Sequence, residues 1–180
     1  MHNVALERDD ARIEGATLDG ALHGNVRVQA GGVPRAALTY ARGALHGPVT
    51  LMHSDGSRAA QMNYADNKLD GKAVFYLPDG TVQREAHYAN GVLHGSCKTW
   101  LPDGTLLEHA MYRQGKLQGM LQRFHPNSRI AERQAFDAGK PMGPSERYAS
   151  DGRPLDADGK PLPRWRYWWR QLFGPSSDSH

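Results

Sequence analysis

One cysteine, Cys97, is the only thiol in the sequence, so no intrachain disulfide can form. No CxxC pair or Cys/His cluster offers a structural zinc site, and a reducing compartment suits such a chain. Long apolar runs are also missing. Nowhere do about 18 apolar residues follow one another, as a membrane-crossing helix requires. The N-terminus, MHNVALERDD, lacks the basic and apolar segments of a secretory leader. The expectation is a cytoplasmic protein, or a periplasmic one if a leader has been removed. Neither sign of charge dominates, with 22 Lys and Arg against 19 Asp and Glu and a net charge of +3. The pI near 9.1 therefore records a small surplus, not a field able to grip nucleic acid. No nucleophile elbow, phosphate-cradling glycine loop or H-E-x-x-H segment appears, so the sequence predicts no enzyme and no cofactor.

Apolar residues make up 39% of the chain and mean hydropathy is -0.66, while 20 glycines and 11 prolines punctuate it throughout. That balance predicts many short strands over a shallow core. The glycines recur with a period. The pattern G/N-x-L-x-G occurs at Gly20–Gly24, Gly43–Gly47, Asn67–Gly71, Gly91–Gly95 and Gly115–Gly119, with a degenerate copy at Gly139–Gly143. Successive starts lie 23, 24, 24, 24 and 24 residues apart. Two further columns keep the same phase. One is Asp55-Gly56, Asp79-Gly80, Asp103-Gly104, Asn127-Ser128 and Asp151-Gly152; the other is Tyr40, Tyr64, Tyr88, Tyr112 and Phe136. Three columns in one register define a repeat protein.

Each unit reads as a β-hairpin. An alternating segment such as Ala73 to Leu77 leads into Pro78-Asp79-Gly80, and a second extended segment runs from Thr81 to Tyr88. Asp-Gly between alternating runs is a strong hairpin signal, and Pro78, Pro102 and Pro126 fit just before the turn. The glycine-bracketed Leu is expected to reverse the chain again. With no room for a crossover helix, the fold class is all-β, a single-layer antiparallel meander of about six hairpins. Met52, Tyr76, Trp100, Phe124 and Tyr148 share one repeat position, and Leu45, Leu69, Leu93 and Leu117 share another. Such columns are expected to form continuous apolar stripes, with packing between repeats preferred over a ligand platform.

The units YADNKLDGKAVFYLPDGT (residues 64–81) and YANGVLHGSCKTWLPDGT (residues 88–105) resemble MORN-repeat variants, particularly the bacterial form in YwqK-type antitoxin or immunity proteins. The resemblance covers residues 16–152. It implies a partner role: an immunity protein that neutralises a cognate secreted toxin or effector by direct binding. The alternative it implies is a scaffold or membrane-proximal tether that binds host proteins or lipid headgroups. The first unit departs from the pattern with Gly31-Gly32 in place of Asp-Gly, and the sixth replaces the Leu by Pro141. Terminal repeats of such arrays are commonly atypical.

Some residues invite a chemical reading. His23, His46 and His94 share a column, but equivalent positions two strand spacings apart lie roughly 9–10 Å from each other, too far to converge on one zinc. They are read as polar turn residues on a solvated rim. Glu85, Glu108 and Glu132 stand at nearly equivalent places and suggest cross-strand ion pairs. Cys97 shares the column of Val49, Ala73 and Leu121 and reads as a small buried apolar residue. The partner-binding candidates are Tyr76, Trp100, Arg123, Phe124, Arg147 and Tyr148, joined by Trp165, Trp168 and Trp169 of the tail.

At the N-terminus, residues 1–15 read as a capping hairpin around Asp9-Asp10, ahead of the repeat sheet at 16–160. In residues 161–174, Trp165, Trp168, Trp169 and Leu172 fall at helical spacing, with Phe173 beside them and Arg166 and Arg170 opposite. This predicts a short amphipathic helix. It is read as a cap on the sheet, with membrane contact through Trp165 to Phe173 less favoured. Residues 175–180 follow Gly174-Pro175 and read as a disordered tail.

Overall fold

The computed structural model describes residues 1–163. Within them the chain forms one antiparallel sheet of seventeen strand segments. These are β1 (His2–Arg8), β2 (Ala11–Leu18), β3 (Ala21–Ala30), β4 (Val33–Ala41), β5 (Ala44–Leu45), β6 (Gly47–Met52), β7 (Arg58–Ala65), β8 (Lys68–Leu69) and β9 (Gly71–Tyr76). The remainder are β10 (Val82–Ala89), β11 (Val92–Trp100), β12 (Leu106–Arg113), β13 (Lys116–Leu117), β14 (Gly119–Phe124), β15 (Ile130–Asp137), β16 (Lys140–Pro141) and β17 (Glu146–Arg147). Each strand pairs with its sequence neighbours. The short segments β5, β8, β13 and β16 are the opening stretches of strands that continue as β6, β9, β14 and β17 along the same partner. The hairpin meander is thus as the repeat period predicts. The helix expected at 161–174 and the tail at 175–180 lie, from residue 164 onward, outside the described residues. Pro161 itself stands in an extended bridge opposite Leu155.

The two rims of the sheet are built from different turns. Along one rim the chain reverses at Asp19-Gly20, Arg42-Gly43, Asp66-Asn67, Asn90-Gly91, Gln114-Gly115 and Ala138-Gly139, with both residues of each pair at positive φ. This backbone matches the right-handed twist of the flanking strands. The reversal therefore precedes the bracketed Leu, where the sequence reading placed it at the Leu. The Leu instead opens the next strand opposite the tyrosine column: Tyr64 faces Leu69, Tyr88 faces Leu93 and Tyr112 faces Leu117. Successive turns are bonded together. The N–H of Gly43 donates to the Leu22 carbonyl at 2.7 Å, and Asn67 to Leu45, Gly91 to Leu69, Gly115 to Leu93 and Gly139 to Leu117 repeat the contact at 2.8–2.9 Å. This ladder ties each repeat to the next and makes the period strict.

Along the other rim, the N–H groups of Gly56, Gly80, Gly104, Ser128 and Gly152 close tight turns onto the carbonyls of His53, Leu77, Leu101, His125 and Ala149. The Asp or Asn side chain at each of these turns caps it. Asp55, Asp79 and Asp103 accept from the N–H two residues on at 2.8 Å, and Asn127 and Asp151 do so at 3.2 and 3.1 Å.

Register assigns every strand residue to a face. One row crosses the whole sheet through directly opposed residues: Leu6, Ile13, Val28, Ala36, Leu51, Ala60, Phe75, Arg84, Thr99, Glu108, Arg123, Glu132 and Arg147. Its N-terminal half is apolar and its C-terminal half alternates in charge. Beside it, on the same face, runs a row of small residues that includes Val49, Ala73, Ala86, Cys97 and Ala110. Every buried residue among those described lies on this face: Val26, Val49, Ala60, Ala73, Ala86, Cys97 and Ala110. We call it the core face. Its Tyr and Leu columns stand alongside the small row, which is how a single layer buries alanines completely. Gly15 belongs to the same packing, since a Cβ there would lie 2.8 Å from Val26 Cγ2.

Candidate partner-binding face

The opposite, open face carries a second unbroken row, one residue out of phase with the first. It runs through Ala5, Glu14, Arg27, Ala37, Thr50, Gln61, Val74, Glu85, Lys98, His109, Gln122, Arg133 and Glu146. Apart from Ala5, Ala37 and Val74, the row is polar. Strand alternation puts Met52, Tyr76, Trp100, Phe124 and Tyr148 on this face, at the end nearer the Asp-Gly turns. All five are half-buried. The Tyr76 hydroxyl donates to Gln61 Oε1 at 3.0 Å, and the Arg58 guanidinium lies over the Tyr76 ring, 5.6 Å from its centroid. Tyr148 repeats the arrangement, with its hydroxyl donating to Glu146 at 2.5 Å and Arg133 over its ring at 5.6 Å. Cation–π contacts of this kind orient the rings. Met111 and Met120 add exposed thioether surface to the open face, at 40% and 43% accessibility.

The structure divides the sequence candidates between the two faces. Tyr76, Trp100, Phe124 and Tyr148 form one aromatic row on the open face. Arg123 and Arg147 stand on the core face, in the charged half of its row, where Arg123 bridges Glu108 at 3.1 Å and Glu132 at 2.9 Å. Those two bonds raise the Arg123 pKa, the one to Glu108 being the larger cause. Trp165, Trp168 and Trp169 lie outside the described residues. Arg147, Tyr148, Arg133, Glu146 and Leu155 line an open groove at the C-terminal end of the sheet.

The acidic column divides too. Glu108 and Glu132 form ion pairs across strands, as expected, whereas Glu85 sits one residue out of phase. It therefore points to the open face and pairs with Lys72 at 2.7 Å. His23 and His46 hold turns together. His23 Nδ1 accepts from the Arg42 N–H at 3.3 Å, His46 Nδ1 stands 3.3 Å from Asp66, and Asp70 and Gln118 in the same column accept from Asn90 and Ala138 N–H at 3.1 Å. Cys97 is buried at 7% accessibility between Ala86 and Ala110.

One polar cluster on the open face escaped the sequence reading. Ser96 Oγ lies 3.1 Å from His109 Nε2, and His87 Nδ1 lies 3.2 Å from the Ser96 carbonyl. Burial, with Lys98 as a second cause, lowers the His109 pKa, which favours the neutral ring that can accept the Ser96 proton. These residues sit in different repeat columns on adjacent strands, so only the register reveals them.

With two zipped rows, bonded turn ladders and an aromatic face on which no described residue is buried, the described chain is a tandem array of β-hairpins. Residues 69–90 match the MORN repeat variant and residues 85–106 match the MORN repeat. The middle of the sheet, residues 69–106, thus matches MORN-type repeats, which suggests a repeat scaffold for protein or lipid binding. No curated protein matches the chain. Similar solved structures include a crystal structure of TarM (13% identity, 61% of this chain and 19% of that one, TM-score 0.35). A mutant of S. aureus TarM in complex with fondaparinux, alpha-GlcNAc-glycerol and UDP gives 12% identity over 65% of this chain and 21% of that one, with a TM-score of 0.37. The GtfA/B complex bound to UDP and GlcNAc gives 15% identity, 60% and 21% coverage and a TM-score of 0.27. The chain spans about a fifth of those chains, and likeness at this level carries no argument about function.

Proposed function

We propose that the chain is a non-catalytic immunity protein that neutralises a secreted bacterial toxin by binding it through the open face. The observation that carries the reading is the row Tyr76, Trp100, Phe124 and Tyr148 on a face where no described residue is buried. Its aromatic surface is not consumed in a core, and aromatic side chains dominate the energetic centres of protein interfaces. The alternating polar row beside it supplies hydrogen-bonding partners for a rim. Likeness of residues 64–81 and 88–105 to YwqK-type units supports a toxin as the partner. Binding then occludes the toxin's active site or holds it in an inactive shape, which requires an interface of roughly 800 Å² per partner.

The test is co-expression with the product of the neighbouring gene in the source genome. Growth rescue together with co-purification is the expected result. Absence of both removes the immunity reading and leaves the scaffold. The Trp- and Arg-rich segment from Trp165 to Phe173 favours a second reading, a membrane tether. Co-sedimentation with liposomes, comparing the full chain with a truncation at Leu162, decides it: binding that the truncation abolishes supports the tether, and background binding ends it.

A further inference from the structure

The two ends of the sheet are treated differently. At the described C-terminal end, the last bridges run through Pro154 and Pro161, which lack the N–H that a further strand would need. At the other end, β1 pairs with β2 alone among the described residues, in an unshifted register from His2–Thr17 to Arg8–Ala11. β1 contains no proline, no lysine and no bulge, the usual devices that blunt an edge. Its Leu6 is 64% exposed.

The outward hydrogen-bonding groups of β1 follow from its turn. Arg8 and Ala11 flank the two-residue turn Asp9-Asp10, so they form a pair that exchanges both hydrogen bonds with each other. Alternation then directs the backbone groups of Leu6, Val4 and His2 inward to β2. The N–H and C=O groups of Asn3, Ala5 and Glu7 point outward, unpaired among the described residues.

We propose that β1 is a self-association edge, joining two copies of the chain antiparallel about Ala5. With Ala5 opposite Ala5 of the second copy, Asn3 lies opposite its Glu7, and all three outward residues of each strand are bonded. No other two-fold register engages all of them. Residues opposed across such a pair share a face, so Leu6 gains Val4 of the second copy beside it on the core face. His2 meets Arg8 and Asn3 meets Glu7, so that no two carboxylates and no two Lys or Arg side chains oppose each other. The open-face row begins at Ala5, and in this register it passes directly into the second copy. The dimer thus presents two aromatic rows on one side of one sheet, an arrangement suited to a bivalent partner. The proposal rests on the edge alone and stands whether or not the partner is a toxin.

One strand makes a small interface, so association is weak and concentration dependent. Sedimentation equilibrium on the full chain, from about 1 µM to about 500 µM, should show a monomer–dimer equilibrium. Ala5→Pro removes an outward N–H from each copy without touching the β1–β2 ladder, and should weaken the dimer about tenfold or more. Asn3→Lys faces Glu7 of the second copy and should tighten it about two- to tenfold, while Asn3→Glu should weaken it by a similar factor. Asn3 is an exposed side chain, so these two variants report on the register even if Ala5→Pro disturbs β1. A chain that stays monomeric throughout the range, or a dimer indifferent to the Asn3 substitutions, overturns the proposal.

Discussion

Gly95 shows how much one residue decides. Its φ of 106° belongs to a region that side chains rarely enter, and an added Cβ would meet His87 Cβ at 3.2 Å. Gly95→Ala therefore strains the backbone and crowds the neighbouring strand, and should cost about 1–3 kcal/mol, read as a lowered thermal midpoint. Gly119, at the same repeat position with φ 81° and nothing within 4 Å of the added atom, should lose less on the same substitution. Arg123 offers a contrast. Its two ion pairs are half-exposed and screened by solvent, so Arg123→Met should change stability by no more than about 1 kcal/mol. The glycine pattern was legible because turn and bulge geometry leaves few alternatives to glycine. The Ser96–His109 contact was not, because the two residues occupy different columns of one hairpin and only the strand register brings them together.

At the level of the hairpin, the Asp-Gly turns couple stability to pH. Hydrogen bonds from Ser57 lower the pKa of Asp55, and those from the Thr81, Thr105 and Arg153 N–H groups lower Asp79, Asp103 and Asp151. A carboxylate with a depressed folded pKa contributes stability that is fully present above its unfolded value. That contribution is lost as pH falls through the lower folded one. Stability should therefore drop below about pH 4, the range of an unperturbed Asp. Asn127 accepts the same bond from Arg129 without a charge. Asp79→Asn with Asp103→Asn should accordingly leave the thermal midpoint near wild type at pH 7 and flatten its decline between about pH 5 and pH 3. An unchanged acid slope would mean that these turns do not set it. His109 runs in the same sense at higher pH: its lowered folded pKa means stability declines as pH falls below the unfolded imidazole range. The hairpins were readable from Asp-Gly spacing. The position of the opposite reversal was not, since the bracketed Leu stands out in the sequence while the turn is made by the pair just before it, where Asn90, Gln114 and Ala138 vary freely in type.

At the scale of the described chain, each strand pairs with its sequence neighbours, through rows of opposed side chains and the ladder of turn hydrogen bonds. Excising one full period, residues 71–94, should join equivalent strand positions and preserve the sheet at lower stability, checked by an unchanged β-type circular dichroism spectrum. Collapse of the spectrum would contradict that additive picture. Sequence columns told which residues are equivalent, but not which columns share a face. That depends on parity along the strand and on bulges such as the one between Thr99 and Trp100, opposite Glu108 and Leu106. Hence the aromatic row and the Arg123–Arg147 pair, grouped as candidates by residue type, separate onto opposite faces. The most direct test of the central claim is the affinity of the proposed partner, once purified, for face-specific variants, measured by calorimetry. Trp100→Ala on the open face should weaken binding by about 30-fold or more, and Arg123→Met on the core face should leave it nearly unchanged. Binding that survives Trp100→Ala and is lost on Arg123→Met would contradict the assignment of the open face as the docking surface.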